Sequence, residues 1–236
     1  MMWRKIRFSW WYLPATVMFA LLDYKWAEPC GGILKVLVGG VEESGGEILS
    51  VPMGRWLFVF GWIFLAAGLE SSRAKRMLIF ECYRYRSFGK WWSGKCLHIQ
   101  GMVLILYMEM AAVWYVLEVA TGRKTEEAGW ILLTFGLHME LLVTVEICFD
   151  VMWVKGLAAG VLLVAAGMGY VLAEQAGISC MAGGMFVRSG RYMENGFSLP
   201  VMYGVEIVLM VFCYTGVWML GKNGMLGNRL FGKEEQ

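Results

Sequence analysis

The chain has 236 residues, of which 58% are hydrophobic and 15% aromatic, and its formal net charge is +2. Soluble domains are roughly 45–50% apolar, so this excess, gathered into long runs, excludes a mainly soluble protein and leaves little mass for a soluble domain. The small net charge says little, because in a membrane protein the asymmetry of charge between the two sides matters more than its sum.

Arg4, Lys5 and Arg7 open the chain, and an apolar run follows from Phe8 to Leu22, broken by Pro14. At ~1.5 Å per residue this run reaches ~22 Å, short of a ~30 Å hydrocarbon core, so it has to borrow flanking residues such as Tyr24. A cleaved signal peptide would look similar, but Lys25-Trp26-Ala27 is a poor small-x-small cleavage site, which favours a retained first helix. The stretch from Asp23 to Pro52 is glycine-rich and acidic and reads as an exterior loop, with Ile33 to Val41 as an apolar piece lying on the surface.

The further spans are expected at 53–69, 97–120, 129–153, 156–173 and 199–220. Between the second and third lies a loop over 70–96 with seven cations: Arg73, Lys75, Arg76, Arg84, Arg86, Lys90 and Lys95. A polar turn over 121–128 joins spans three and four, Asp150 and Lys155 bracket a tight connection to span five, and a longer polar loop, 174–198, precedes the last span. The predicted fold is therefore all-α, a single transmembrane domain with six helices. Fourteen cations fall on the side holding both chain ends and seven on the other, which favours an N-in, C-in topology.

Ionisable residues within apolar spans cost ~2.5–3.5 kcal/mol each on insertion scales and are functional candidates for that reason. Glu109, His138, Glu140, Glu146 and Glu206 are such residues; Glu118 and Asp150 sit at span ends, where solvation is expected. Glu109 and Glu140, near mid-span, serve either a proton or polar translocation path or hydrogen bonds between helices. His138 and Glu140 lie about 200° apart around a helix, so they cannot form one two-ligand site. Glu146 and Asp150, four residues apart, share a face.

Other motifs carry less. Six cysteines show no Cys-x-x-Cys, and Cys96 with His98 has no second pair to complete a site, so no metal is expected. Cys30 and Cys180 both fall in exterior loops, which is compatible with a disulfide, although free thiols are the simpler reading. Gly216 to Asn223 matches most of a phosphate-binding loop but lacks the final Ser/Thr and lies in a span, so no nucleotide site is expected in this chain. Span five is rich in small residues, with Gly156-x-x-x-Gly160 and Ala165-x-x-x-Gly169, which suits close helix packing within the bundle or between two copies.

In the basic loop, Tyr83, Tyr85, Phe88, Trp91 and Trp92 alternate with cations, as in a short amphipathic helix at the headgroup level. Such a loop is either a lipid anchor or a handle for a cytosolic partner; a small loop pinned to a membrane offers little footprint for nucleic acid. The segment Arg84-Tyr85-Arg86-Ser87-Phe88-Gly89-Lys90-Trp91-Trp92-Ser93-Gly94-Lys95, with the six-span layout, resembles small ABC-2-type permease subunits of bacterial peptide-antibiotic export and immunity systems.

That resemblance implies a multi-pass protein of the bacterial cytoplasmic membrane. It would pair with a second permease, itself or a related chain, and be driven by a separate cytosolic ABC ATPase that holds the ATP and magnesium. It implies that Arg84, Arg86, Lys90 and Lys95 meet acidic groups on the ATPase and that Tyr85, Trp91 and Trp92 fill its groove. Asp150 and Lys155, in the tight turn, would share in the coupling. No catalytic residue and no resident cofactor are then expected here. Two other readings remain open from the residues alone: an intramembrane enzyme using Glu109, His138 and Glu140, and a non-transporting assembly or sensor subunit.

Overall fold

The computed structural model describes residues 10–27, 33–41, 50–77, 87–123, 125–152, 158–176, 184–186 and 198–222. Their regular structure is helical: α1 (Tyr12–Ala27), α2 (Ile33–Leu37), α3 (Ser50–Arg76), α4 (Phe88–Ala120), α5 (Ala128–Met152), α6 (Ala158–Ala176) and α7 (Leu199–Lys222). The predicted Cys30–Cys180 pairing and the coupling residues Arg84, Tyr85, Arg86 and Lys155 lie outside the described residues.

Proline sets three of the helix starts. Pro14, Pro52 and Pro200 each fall in the first turn of α1, α3 and α7, where a backbone N–H has no intrahelical acceptor and its loss costs little. The first helix therefore takes Pro14 into its opening turn and runs from Tyr12 to Ala27, five residues past the end of the expected span at Leu22. At the other end of α4, Gly122 takes φ +71° and closes the helix. Its N–H donates to Val119 O at 3.1 Å while Arg123 N–H donates to Glu118 O at 3.0 Å, the paired bonds of a Schellman stop. A Cβ at Gly122 would touch nothing, so Gly122→Ala isolates the backbone cost. It should destabilise the fold by about 1–2 kcal/mol in a denaturation titration of the detergent-solubilised chain.

Side-chain rungs fix the helix directions. Tyr12 reaches Glu70, Trp62 Nε1 donates to Thr16 Oγ1 at 2.9 Å and the Phe19 and Phe58 ring centroids are 6.0 Å apart, so α1 and α3 are antiparallel. Phe60 meets Phe135 and Lys75 Nζ donates to Asp150 O at 2.7 Å, so α3 and α5 are parallel. Gln100 Nε2 donates to Thr144 Oγ1 at 2.9 Å and Tyr107 Oη to Leu132 O at 2.6 Å, making α4 antiparallel to α5. Thr134 pairs with Tyr203 and His138 with Glu206, so α7 runs parallel to α5. The five residues between Met152 and Ala158 reach at most ~20 Å, so α6 starts at the end where α5 stops. The beginning of α1, the ends of α3, α5 and α7 and the beginning of α4 thus gather at one end of the bundle, here the near end.

α5 is the central helix, packed against α2, α3, α4, α6 and α7 and buried on nearly every side, as expected of a helix apolar all round. α4 buries Ile99, Val103, Leu106, Met110 and Trp114 on one side and leaves Leu97, Leu104, Ile105, Met108 and Val116 exposed on the other. α7 likewise exposes Val201, Val205, Val208, Val211 and Phe212. Apolar side chains on the outward face as well as the inward one belong in hydrocarbon rather than water. Four helices, α3, α4, α5 and α7, are long and apolar enough to cross a membrane. α1 has 16 residues, and in α6 the apolar stretch Ala158–Val171 is shorter than a full span. The described residues are thus all-helical in their regular structure, and the four long apolar helices among them mark a protein of membrane type.

α2 departs from expectation. Ile33 to Val41 is not a surface-lying piece: Ile33, Leu34, Leu37, Val38 and Val41 are buried, and α2 touches α1, α3, α4 and α5. The segment fills the bundle near its far end. Its five large aliphatic side chains have no water-facing alternative once helices close around them, and the exit turn at Gly40, with φ +98°, is what lets it fold back.

Candidate functional site

Three groups of polar side chains stand out in the bundle among the described residues. The first is at the near end. Tyr12 Oη donates to Glu70 Oε1 at 3.1 Å, and Arg73 Nη1 meets the same oxygen at 2.5 Å. Beside them, Glu146 is fully buried with neither carboxylate oxygen hydrogen-bonded among the described residues. It sits over Gly68, where a Cβ would approach its Oε1 to 2.9 Å, so the missing side chain at 68 makes room for the carboxylate. Asp150 is also buried.

The second group joins α4 to α7. Trp92 Nε1 donates to Tyr214 O at 3.1 Å, and Ser93 Oγ and Tyr214 Oη are 2.5 Å apart. Phe88 and Trp92 stack with their planes 9° apart, and Trp92 stacks on Tyr214 with ring centroids at 6.1 Å. Gly89 lies against Trp218 and Gly221 against Phe88, and a Cβ at either would collide with the ring.

The third group runs along α5 and α7. Thr134 Oγ1 and Tyr203 Oη are 2.7 Å apart, His138 Nδ1 and Glu206 Oε1 are 2.8 Å apart, and Cys148 Sγ approaches Cys213 O at 3.6 Å. His138 is fully enclosed and Glu206 is 7% exposed. The imidazole lies near the Trp56 and Phe60 rings, at 6.5 and 6.4 Å between centroids. The described segment 184–186 crosses it: a Cβ on Gly184 would stand 2.8 Å from His138 Cδ2.

These positions change several expectations. Trp91 and Trp92 are 1% and 0% exposed, and Trp92 is held by the α4–α7 contact, so in this chain neither presents its ring to a partner's groove. The helical pattern explains it: α4 begins at Phe88, which makes both indoles part of its inward stripe rather than of a loop. α3 likewise continues to Arg76 and α4 begins at Phe88, so helix takes up both ends of the expected 70–96 loop. Lys90 is exposed and Lys95 is half-buried.

Glu118 and Asp150 are buried, not solvated; Glu118 accepts a hydrogen bond from Thr125 Oγ1. Glu109 and Glu140 are half-buried, and no hydrogen bond or ion pair joins either to His138. The hydrogen-bond partner of His138 is Glu206. Among the described residues no three His, Cys, Asp or Glu side chains are placed to hold a metal ion, and Cys96, Cys148 and Cys213 are free thiols.

Sequence reasoning missed Asp23, which is buried within α1 with neither oxygen partnered among the described residues. Its position one residue past the apolar run looked like a loop start. It also missed the Gln100–Thr144 and Thr134–Tyr203 bonds, since such polar residues inside spans signal a partner without naming one.

No protein-family model, curated protein or solved structure matches this chain. The functional reading therefore rests on its own residues and their placement.

Proposed function

We propose that this chain is the permease subunit of an ATP-driven exporter in a bacterial cytoplasmic membrane, moving a hydrophobic or peptide-like substrate and driven by a separate cytosolic ABC ATPase. In this reading all six long helices cross the membrane, with both chain ends and the near end of the bundle inside. α1 and α6, short for a full crossing, are accommodated by tilt, local thinning or interfacial flanking residues. Two such chains, or this one and a related permease, surround the path, and ATP with magnesium is bound by the partner alone.

The observation that carries the reading is the clustering of cations at the near end. Arg73, Lys75 and Arg76 close α3 and Lys90 and Lys95 open α4, joined by the connection that holds Arg84 and Arg86. Such density marks the untranslocated side and offers an acidic partner a landing surface. The alternating helix directions support a multi-pass arrangement with both ends on that side.

With Trp91 and Trp92 in the interior, the docking surface narrows to the exposed cations, and Lys75 joins it mechanically because its hydrogen bond to Asp150 O ties the end of α3 to the end of α5. Charge reversal at Arg84, Arg86 and Lys90 together should lower co-purification of the native ATPase by about tenfold or more while membrane insertion stays intact. Undiminished co-purification, or labelling of a cysteine at position 90 from outside intact cells, would end the reading.

A further inference from the structure

The contact between His138 and Glu206 has more to it than a link between two helices. Its single hydrogen bond uses Nδ1 and Oε1 at 2.8 Å. The other two polar atoms, His138 Nε2 and Glu206 Oε2, are buried and meet no hydrogen-bond partner among the described residues. Polar atoms left this way in an apolar interior are costly and are rare in native folds.

Counting protons explains the pattern. With a neutral imidazole donating Nδ1–H to an ionised carboxylate, the pair carries one negative charge that no other hydrogen bond among the described residues offsets. One more proton makes the pair neutral overall, and the two atoms open to receive it are the two unpartnered ones. On Nε2 it gives imidazolium beside carboxylate; on Oε2 it gives imidazole beside carboxylic acid. Both forms keep the Nδ1–H···Oε1 bond and neither leaves an uncompensated charge.

The surroundings close the pair off. Trp56 and Phe60 of α3 flank the ring. Gly184 lies against the Cβ–Cγ–Cδ2 side of the imidazole, where a Cβ would stand 2.8 Å from Cδ2. The strap that carries Gly184 is held one residue on, where buried Met185 rests on Gly40 at a spot that admits no Cβ. The charged or titratable side chains on the elements around the pair include Lys35 on α2, Arg55 on α3, Tyr107 and Glu109 on α4, Glu140 on α5 and Tyr203 on α7. Of these, Tyr107 is engaged by Leu132 O and Tyr203 by Thr134.

We propose that His138 and Glu206 form a site for one proton within the apolar bundle, shut off from the far side by the Gly184–Phe186 strap and exchanging its proton only when that strap lifts. The site would let the bundle take up or release a proton as the far end opens and closes, whether or not an ATPase drives the motion.

The chain has two histidines, His98 and His138, which makes the test direct. The full chain, labelled with nitrogen-15 histidine and carbon-13 glutamate, is placed in lipid nanodiscs, and His98→Gln identifies which ring signal is which. Between about pH 5 and pH 8, His138 should show either an imidazolium signal or a neutral ring together with a protonated-carboxyl vibrational band that vanishes in Glu206→Gln. A neutral ring with no such band across that range would mean a proton-free pair and would overturn the site. Gly184→Val, whose added carbons must push off the His138 ring, should speed exchange of the bound proton with solvent by about tenfold or more. Where that variant does not insert, Met185→Gly, which removes the side chain that rests on Gly40, gives the same reading. Exchange no faster than in the unaltered chain would overturn the seal.

Discussion

Replacing Trp92 with alanine should destabilise the bundle by about 3 kcal/mol, the low end of the range for truncating a large buried aromatic. The low end applies because the alternative surroundings in a membrane are themselves apolar, so the loss is mainly of packing and of a cavity left behind. Trp92 is fully buried, lies between Phe88 and Tyr214, and spends its indole N–H on Tyr214 O. Trp92→Phe keeps much of the ring and loses the hydrogen bond, so it should cost only about 1 kcal/mol. Denaturant titration in mild detergent, following the near-ultraviolet signal, measures both. The result also separates two roles for this residue. An anchor for another protein would leave stability within about 0.5 kcal/mol when truncated and would lower only partner capture, whereas the interior position requires that stability fall first.

Gly40→Ala should cost about 2–5 kcal/mol, through two separable effects. The first is conformational: φ is +98° at this position, a backbone setting that a side chain makes unfavourable by about 1–2 kcal/mol. The second is steric, since the new methyl would lie 2.5 Å from Met185 Cβ, and overpacking of this kind costs about 1–3 kcal/mol. Met185→Ala keeps its own Cβ, so it should relieve little of the clash, while Met185→Gly should remove most of it and leave the conformational part. A double-mutant cycle with Gly40→Ala and Met185→Gly reads the coupling directly. No coupling would mean that the loop after α2 and the strap before α7 do not meet, and the far-end seal would lose its fastening.

Much of the architecture was legible in the order of residues because membrane helices leave a strong local signal. Long apolar runs demand internally satisfied backbone, so they read as helices wherever they occur. The runs containing Trp56, Leu106, Leu142 and Val208 all became long helices. The polar turn after Ala120 was equally plain, since Gly122 supplies the left-handed stop that ends α4. The weight of cations on the connection between α3 and α4 was read from composition alone.

Helix ends were less legible. Pro14 inside an apolar run reads as a break, and only the packing of Tyr12 against Glu70 and of Thr16 against Trp62 shows the helix starting just before it. Trp91 and Trp92 carry the same ambiguity: aromatic residues beside lysines suit a lipid surface, a partner's groove and a helix interior alike. The burial of both indoles, and the contact of Trp92 with Tyr214 more than a hundred residues away, decided among the three.

The sequence by itself determined that this protein is a set of apolar helices with one strongly cationic connection and a few ionisable side chains that such helices do not tolerate idly. Only the tertiary structure decided which of those side chains meet. His138 chose Glu206 on α7 rather than Glu140 on its own helix, Ile33 to Val41 turned inward, and Glu146 found its space over Gly68. The physical reason is that hydrophobicity is a property of single residues and reads along the chain, whereas a hydrogen bond or a cleft beside a glycine depends on the rotation and depth of two helices at once, which residue order does not encode.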